Sequence, residues 1–229
     1  PGDEVITVSH TFVASISTII QAGAKPVLID VADDFEIDSD EIEKAITKKT
    51  KAIMPVYHNG RMQNMERIMK IAKKHRLIII EDAAQALGAK FNGKMAGSFG
   101  LTGCFSFYPA KILGRFGDGG AVTTDNKAMA EKVRLLRDHG QKTKTEILCF
   151  GFNSRLDNLQ AAVLNVKFQY LPGWIRRRRG IAKLYHQGLV KIPEIKLPPP
   201  PDSDSQRFDI FQNYVIRAER RDELFLFLK

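Results

Sequence analysis

Four apolar residues, Leu77-Ile78-Ile79-Ile80, run straight into two carboxylates, Glu81-Asp82. An apolar run of that length with no polar alternation predicts a short strand buried on both faces. Such a strand belongs in a parallel sheet covered by helices, and the rest of the chain supplies both. Val5–Val8, Pro26–Val31, Lys51–Val56, Gly103–Phe107 and Gly120–Thr124 read as further strands. Phe12–Ala22, Ser39–Thr47, Gln63–His75, Lys127–Leu136 and Leu156–Leu171 carry helical spacing. Ser9 or Thr11 is a candidate cap for the first helix, which ends at Gly23, and Ser39 for the second, whose apolar face is Ile42, Ala45 and Ile46. The third has the stripe Met65, Ile68, Met69 and Ala72. The predicted fold class is α/β, a mostly parallel central sheet with helices on both faces.

Beyond the sheet, Trp174–Leu189 has apolar positions at helical spacing around Arg176-Arg177-Arg178-Arg179. The four arginines read as the solvated side of that helix. Pro193–Gln206, with four consecutive prolines, reads as a linker or long surface loop. Asn213–Ala218 then reads as a strand and Arg221–Lys229 as a helix, the start of a smaller second domain. The expected division is a large domain over 1–167, and a connecting helix with an incomplete small α+β domain over 168–229. The chain opens on Pro1-Gly2-Asp3-Glu4 and ends inside a helix without a cap, so it reads as a fragment cut at both ends.

Charge and cysteine content exclude more than they assign. Lys and Arg total 35 against 26 Asp and Glu, a net charge of +9. No recognition element for nucleic acid accompanies that charge, so a nucleic-acid-binding role finds no support beyond it. Two cysteines, Cys104 and Cys149, make neither a disulfide framework nor a four-ligand zinc site. There is no apolar run of membrane-spanning length and no signal peptide, so a reduced, cytoplasmic protein is expected.

Open α/β sheets bind ligands beyond the carboxyl ends of their strands. The residues there are His10-Thr11-Phe12, Tyr57-His58-Asn59, Glu81-Asp82-Ala83-Ala84-Gln85 and Tyr108-Pro109-Ala110-Lys111. Asp82 reads first as the cap of a helix starting at Ala83, and otherwise as a ribose contact, the partner of a cofactor cation, or a metal ligand, for which no spacing supplies companions. Lys111 is bracketed by Phe107-Tyr108-Pro109-Ala110 and Ile112-Leu113, surroundings that disfavour its ammonium form and free an amine to attack carbonyls. Ser106 offers a hydroxyl to a phosphate. Gly114-Arg115-Phe116-Gly117-Asp118-Gly119-Gly120 matches neither the dinucleotide-binding nor the Walker A pattern and reads as a turn. Asn153 or Ser154 is a candidate cap for the helix that follows.

Taken in order, these pieces resemble one family. Pro1-Gly2-Asp3-Glu4-Val5-Ile6, Thr11-Phe12-Val13-Ala14, Ile80-Glu81-Asp82-Ala83-Ala84-Gln85, Phe105-Ser106-Phe107-Tyr108-Pro109-Ala110-Lys111, Gly117-Asp118-Gly119-Gly120-Ala121, His139-Gly140-Gln141 and Asn153-Ser154-Arg155-Leu156-Asp157-Asn158 stand as they do in the DegT/DnrJ/EryC1/StrS sugar aminotransferases. Those are pyridoxal 5'-phosphate (PLP) enzymes with the fold type I, aspartate aminotransferase-like architecture.

The resemblance implies a role for each matching residue. Lys111 would form the internal aldimine with PLP and carry the proton during transamination. Asp82 would hold the pyridinium nitrogen in its protonated form, which makes the ring an electron sink. Ser106 would bind the cofactor phosphate, Gln85 would lie near the phenolic oxygen, and Phe12 would stack on the ring. Asn153 would reach the phosphate of a neighbouring subunit's cofactor, which implies a homodimer with shared sites. Glu81 would be structural. The implied reaction moves an amino group, from glutamate as amino-acid donor, to a keto sugar on a nucleotide diphosphate, as in polysaccharide biosynthesis. A cyclitol or unactivated sugar phosphate as acceptor, and a non-catalytic binding homologue, stay open. The family's first phosphate-binding loop and most of its small domain have no match here, and Tyr57-His58-Asn59-Gly60 replaces the usual His-Leu-Tyr-Gly, leaving Tyr57 and His58 without assigned roles.

Overall fold

The computed structural model describes residues 1–229. In chain order its elements are β1 (Glu4–Val8), α1 (Val13–Gln21), β2 (Lys25–Ile29), α2 (Ser39–Ala45), β3 (Thr50–Ile53), α3 (Met65–His75), β4 (Ile78–Asp82), β5 (Lys90–Phe91), β6 (Lys94–Met95), β7 (Thr102–Ser106), β8 (Gly120–Thr123), α4 (Lys127–Leu136), α5 (Asn158–Phe168), α6 (Leu171–Leu189), β9 (Ile195–Lys196), β10 (Arg207–Phe208), β11 (Arg217–Ala218) and α7 (Arg221–Phe227). Six strands form the main sheet in the order β2-β1-β3-β4-β7-β8. All neighbours are parallel except β7 and β8. The chain steps from β1 outward to β2, then returns past β1 to β3, so the winding reverses beside β1. A reversal of that kind opens a crevice at the carboxyl ends.

Local chemistry sets the helix starts, though not always with the residues the sequence suggests. Asp38, not Ser39, caps α2, accepting from the Asp40 N–H at 2.9 Å. Asn64 caps α3 through the Arg67 N–H. Neither Ser9 nor Thr11 caps α1; Phe12 occupies the cap position without a side-chain bond, and Thr11 is engaged with Ser15 instead. The α3 stripe is Met65, Ile68, Ile71 and Ala72, with Met69 turned outward, because the 3.6-residue period carries the buried face to position 71.

The two faces of the sheet are covered unequally. One core joins 24 buried residues, among them Ile6, Ile53, Met65, Ile68, Ile79 and Phe91. The core on the α1 side has only Val5, Ile19 and Ala52. β4 is therefore not buried on both faces as its composition suggests: Ile79 is 5% exposed but Ile78 is 45% exposed. No helix is long and apolar enough to cross a membrane.

The segment after α6 folds back onto the main body. β10 pairs with β5, and Ile210, Phe211 and Gln212 are buried there. The arginine cluster divides accordingly. Arg176 and Arg177 face solvent, whereas Arg178 donates to the Phe211 and Gln212 carbonyls and Arg179 donates to the Asp209 carbonyl at 2.6 Å and pairs with Asp202. Half of the basic block is thus structural and half solvated, as expected of four arginines that point in all directions from one turn. The expected strand over Asn213–Ala218 shrinks to β11, because Tyr214 stacks on Tyr185 at 5.2 Å rather than extending a ladder.

Candidate active site

β4 ends in two adjacent carboxylates, and the strand's alternation sends them to opposite sides. Glu81 points into the protein and is fully buried. One oxygen accepts from the Tyr57 hydroxyl and the Gly97 N–H, both at 2.7 Å; the other accepts from the Phe99 and Gly100 N–H groups at 2.6 Å. Gly97 is required for this knot: its φ is +79°, and a Cβ there would lie 2.5 Å from the Phe105 ring. Burial, then the Glu81 charge, holds the Tyr57 hydroxyl well above the usual tyrosine range, so it stays a donor. Tyr57 is thereby a structural brace. Glu81→Ala removes the acceptor of four donors, three of them backbone N–H groups left without it. It is expected to destabilise the full-length protein by about 3 kcal/mol or more, read as a lower urea midpoint.

Asp82 points to the crevice. No helix begins at Ala83, so Asp82 is not a helix cap; its Oδ1 accepts from the Ala84 N–H at 3.1 Å in a tight turn. Its Oδ2 accepts from Ser15 Oγ at 2.7 Å, and Ser15 is bonded in turn to Thr11 at 2.8 Å. Thr11 and Ser15 are four residues apart at the start of α1, which places both hydroxyls over the carboxyl edge of the sheet. Phe12 sits in this same turn, 74% exposed.

β7 lies beside β4 with Cys104 opposite Asp82, so Ser106 emerges next to the carboxylate. The Ser106 Oγ accepts from the Tyr108 N–H at 3.2 Å, closing the turn that leads to Lys111. Burial lowers the Lys111 amine below the usual lysine range, and the Asp82 charge opposes that shift only in part. Both groups therefore face one small region. Gln85 lies one turn beyond Asp82, its Oε1 held by the Asn59 N–H at 2.7 Å.

His58 and His10 border the same region. Their rings meet edge to face at 4.7 Å, and His10 stacks on Phe35 at 5.3 Å. Burial, His10 and Lys111 together push the His58 imidazole down to about 4. An NMR titration is expected to show His58 neutral from pH 8 down to about 4; a midpoint near 6.5 would contradict this surrounding.

The structure brings Phe12, Asp82, Gln85, Ser106 and Lys111 to one edge. Asn153 stands apart. It is exposed, in an extended stretch bridged to Asp138, and neither it nor Ser154 caps α5, whose cap position is Asp157. Sequence reasoning misses Ser15 and Gln212. The four-residue spacing from Thr11 to Ser15 is a signal that could have found the first. Gln212 gives no local signal.

A strand-end carboxylate, a half-buried lysine and an uncovered aromatic ring thus share the carboxyl edge of an α/β sheet. The chain belongs to the DegT/DnrJ/EryC1/StrS aminotransferase family, whose model matches residues 1–229. It is 48% identical over its whole length to a Geobacillus stearothermophilus pleiotropic regulatory protein, of which it covers 62%. It is 43% identical over 98% of its length to the dTDP-3-amino-3,4,6-trideoxy-alpha-D-glucose transaminase of Streptomyces venezuelae, covering 59% of that protein. Among solved structures it superimposes on S. venezuelae DesV, crystallised in complex with a ketimine intermediate. The TM-score is 0.95 at 42% identity, over 100% of this chain and 61% of that one. The chain thus spans about three fifths of the length of the relatives it matches.

Proposed function

We propose that this chain is the cofactor-binding part of a PLP-dependent aminotransferase that moves an amino group, from glutamate, to a keto sugar on a nucleoside diphosphate. The observation that carries the proposal is the convergence at one sheet edge of Asp82, held by Ser15 and Ala84, and the half-buried Lys111. The donor set fits the cofactor: an amine for its aldehyde, a carboxylate for its ring nitrogen, a hydroxyl for its phosphate and an exposed ring for its face. PLP supplies an electron sink for the carbon that bears the amino group.

The chain's own groups do the rest. Asp82 retains capacity to accept a hydrogen bond beyond Ser15 and Ala84, and its charge favours a protonated ring nitrogen. Ser15 and Thr11 fix the carboxylate's rotation. Lys111 is the amine in position to take a proton at the substrate carbon and return it. Phe12 would cover a ring face, Gln85 would offer its amide NH2 to the phenolic oxygen, and Ser106 would hold the phosphate.

The substrate class rests on the names of the relatives, which include dTDP-sugar transaminases and a UDP-N-acetyl-3-dehydro-alpha-D-glucosamine 3-aminotransferase of Acidithiobacillus ferrooxidans, 43% identical. The regulatory name of the Geobacillus relative favours a second reading, binding without turnover. The complete Asp82, Ser106 and Lys111 set supports turnover. Assays of the full-length protein with glutamate and a panel of dTDP- and UDP-keto sugars decide between them. Amino-sugar formation is the expected result, and cofactor binding with no product would favour the second reading.

We also read the working form as a cytoplasmic homodimer. Asn153 is exposed and shares no bonding network with the Lys111 group, which suits it to reach a partner's cofactor phosphate. Asn153→Ala is expected to weaken cofactor retention several-fold in equilibrium dialysis; unchanged retention would remove the shared-site reading. Residues 168–229 are read as a connecting helix and the start of the smaller domain, a division supported by the separate pairing of β9 with β11.

A further inference from the structure

We infer that Gln212 is a positioning residue for Lys111, its side-chain amide gripping the main chain on both sides of the lysine. The Gln212 Nε2 donates to the Ala110 carbonyl at 3.0 Å, and its Oε1 accepts from the Ile112 N–H at 2.8 Å. A primary amide offers donor and acceptor at the spacing of a peptide group, so it completes a strand-like pairing with the residues flanking Lys111. The lysine loop gets no such pairing from the sheet, since β7 ends at Ser106.

Gln212 is itself fixed from several directions. It is 7% exposed. Its own N–H donates to the Asn59 carbonyl at 2.8 Å, and Arg178 donates to its carbonyl at 2.9 Å. Phe211, just before it, is a buried non-glycine residue with φ of +51°, a left-handed conformation that persists only where its surroundings enforce it. Gly60 makes room for the approach: a Cβ there would lie 2.6 Å from Ile210 and 3.0 Å from the Gln212 nitrogen. The Asn59 N–H also donates to Gln85, so one short segment ties the His58–Gly60 turn, the Gln85 side chain and the lysine loop into a single frame. Asp82 and His58 are the titratable groups that face the Lys111 amine from the neighbouring elements.

The consequence is that the Lys111 backbone is fixed and only its side-chain torsions are free. This inference rests on the role proposed above for Lys111. It is tested on the full-length protein with its cofactor removed, by competitive acetylation with acetic anhydride as a function of pH. Labelling is quantified on the Lys111 peptide against exposed Lys127. In the unaltered protein Lys111 is expected to become reactive at lower pH than Lys127. Gln212→Ala lets the loop move to solvent and should bring the two profiles together. Labelling of Lys111 near pH 8 then falls about tenfold for every pH unit by which its profile moves up. Gln212→Asn stays neutral but is one methylene too short to hold both flanks of the lysine, so an intermediate profile is expected. Ile210→Val removes buried packing from the same segment and leaves the Gln212 side-chain bonds in place, so it should lower the melting temperature while leaving Lys111 reactivity unchanged.

A Gln212→Ala profile identical to the unaltered one would overturn the inference. So would an equal change in Ile210→Val. If Gln212→Ala does not fold, Gln212→Asn against Ile210→Val makes the same decision. Borohydride reduction of the holoprotein keeps the two failures apart. Cofactor missing from Lys111 refutes the functional reading; cofactor on Lys111 with unaltered labelling in the Gln212 variants refutes only the positioning role.

Discussion

Lys111→Ala in the full-length protein is expected to reduce amino transfer by about 10⁴-fold or more. A positioned acid–base group alone contributes about 10²–10⁴, and the variant loses the covalent anchor as well. Fold and stability should be nearly unchanged, because the side chain makes no hydrogen bond to protein and is half-buried. The check is borohydride reduction followed by peptide mass analysis. The unaltered protein should carry the pyridoxyl mass on Lys111, and the variant should carry none. Label on a different lysine, or turnover within tenfold of normal, would place the chemistry elsewhere.

Asp82→Asn should separate binding from chemistry. The amide keeps the shape of the side chain, so the Ser15 and Ala84 contacts have partners and the fold survives. The charge that favours a protonated ring nitrogen is gone. A loss of about 10²–10³ in turnover is expected, the size seen when a single preorganised electrostatic contact is removed, with cofactor still bound. Stopped-flow measurement of the glutamate half-reaction locates the loss. A variant that releases its cofactor but turns over normally when saturated would assign Asp82 to binding alone.

What the sequence makes legible follows from the range of the interactions. α4 falls on the residues its spacing indicates, Lys127–Leu136, because an amphipathic period and a following Asp138-His139-Gly140 are local signals. The main-sheet strands appear within about three residues of their expected bounds. Asp82, Ser106 and Lys111 are readable because strand ends in a parallel sheet converge on one edge. Caps are less readable: Asp38 displaces Ser39, one position away, a choice made by backbone angles rather than composition. Ile78 defeats the reading of β4 as buried on both faces, because what covers the α1 side of the sheet is not encoded in β4. The arginine block and Gln212 are opaque for a different reason. Arg179 meets Asp209, and Gln212 meets Ala110, through contacts that exist only after the chain has folded back.

The grip on the lysine loop spans about 100 residues of sequence. Chains grow at about 5–20 residues per second, so Lys111 is synthesised roughly 5–20 s before the residue that steadies it. Through that interval the sheet's carboxyl edge can form while the loop between β7 and β8 stays untethered. The last bonds that steady the lysine loop therefore cannot form before Gln212 is made, whereas Ser15, the partner of Asp82, and Thr11 behind it come from the first residues of the chain.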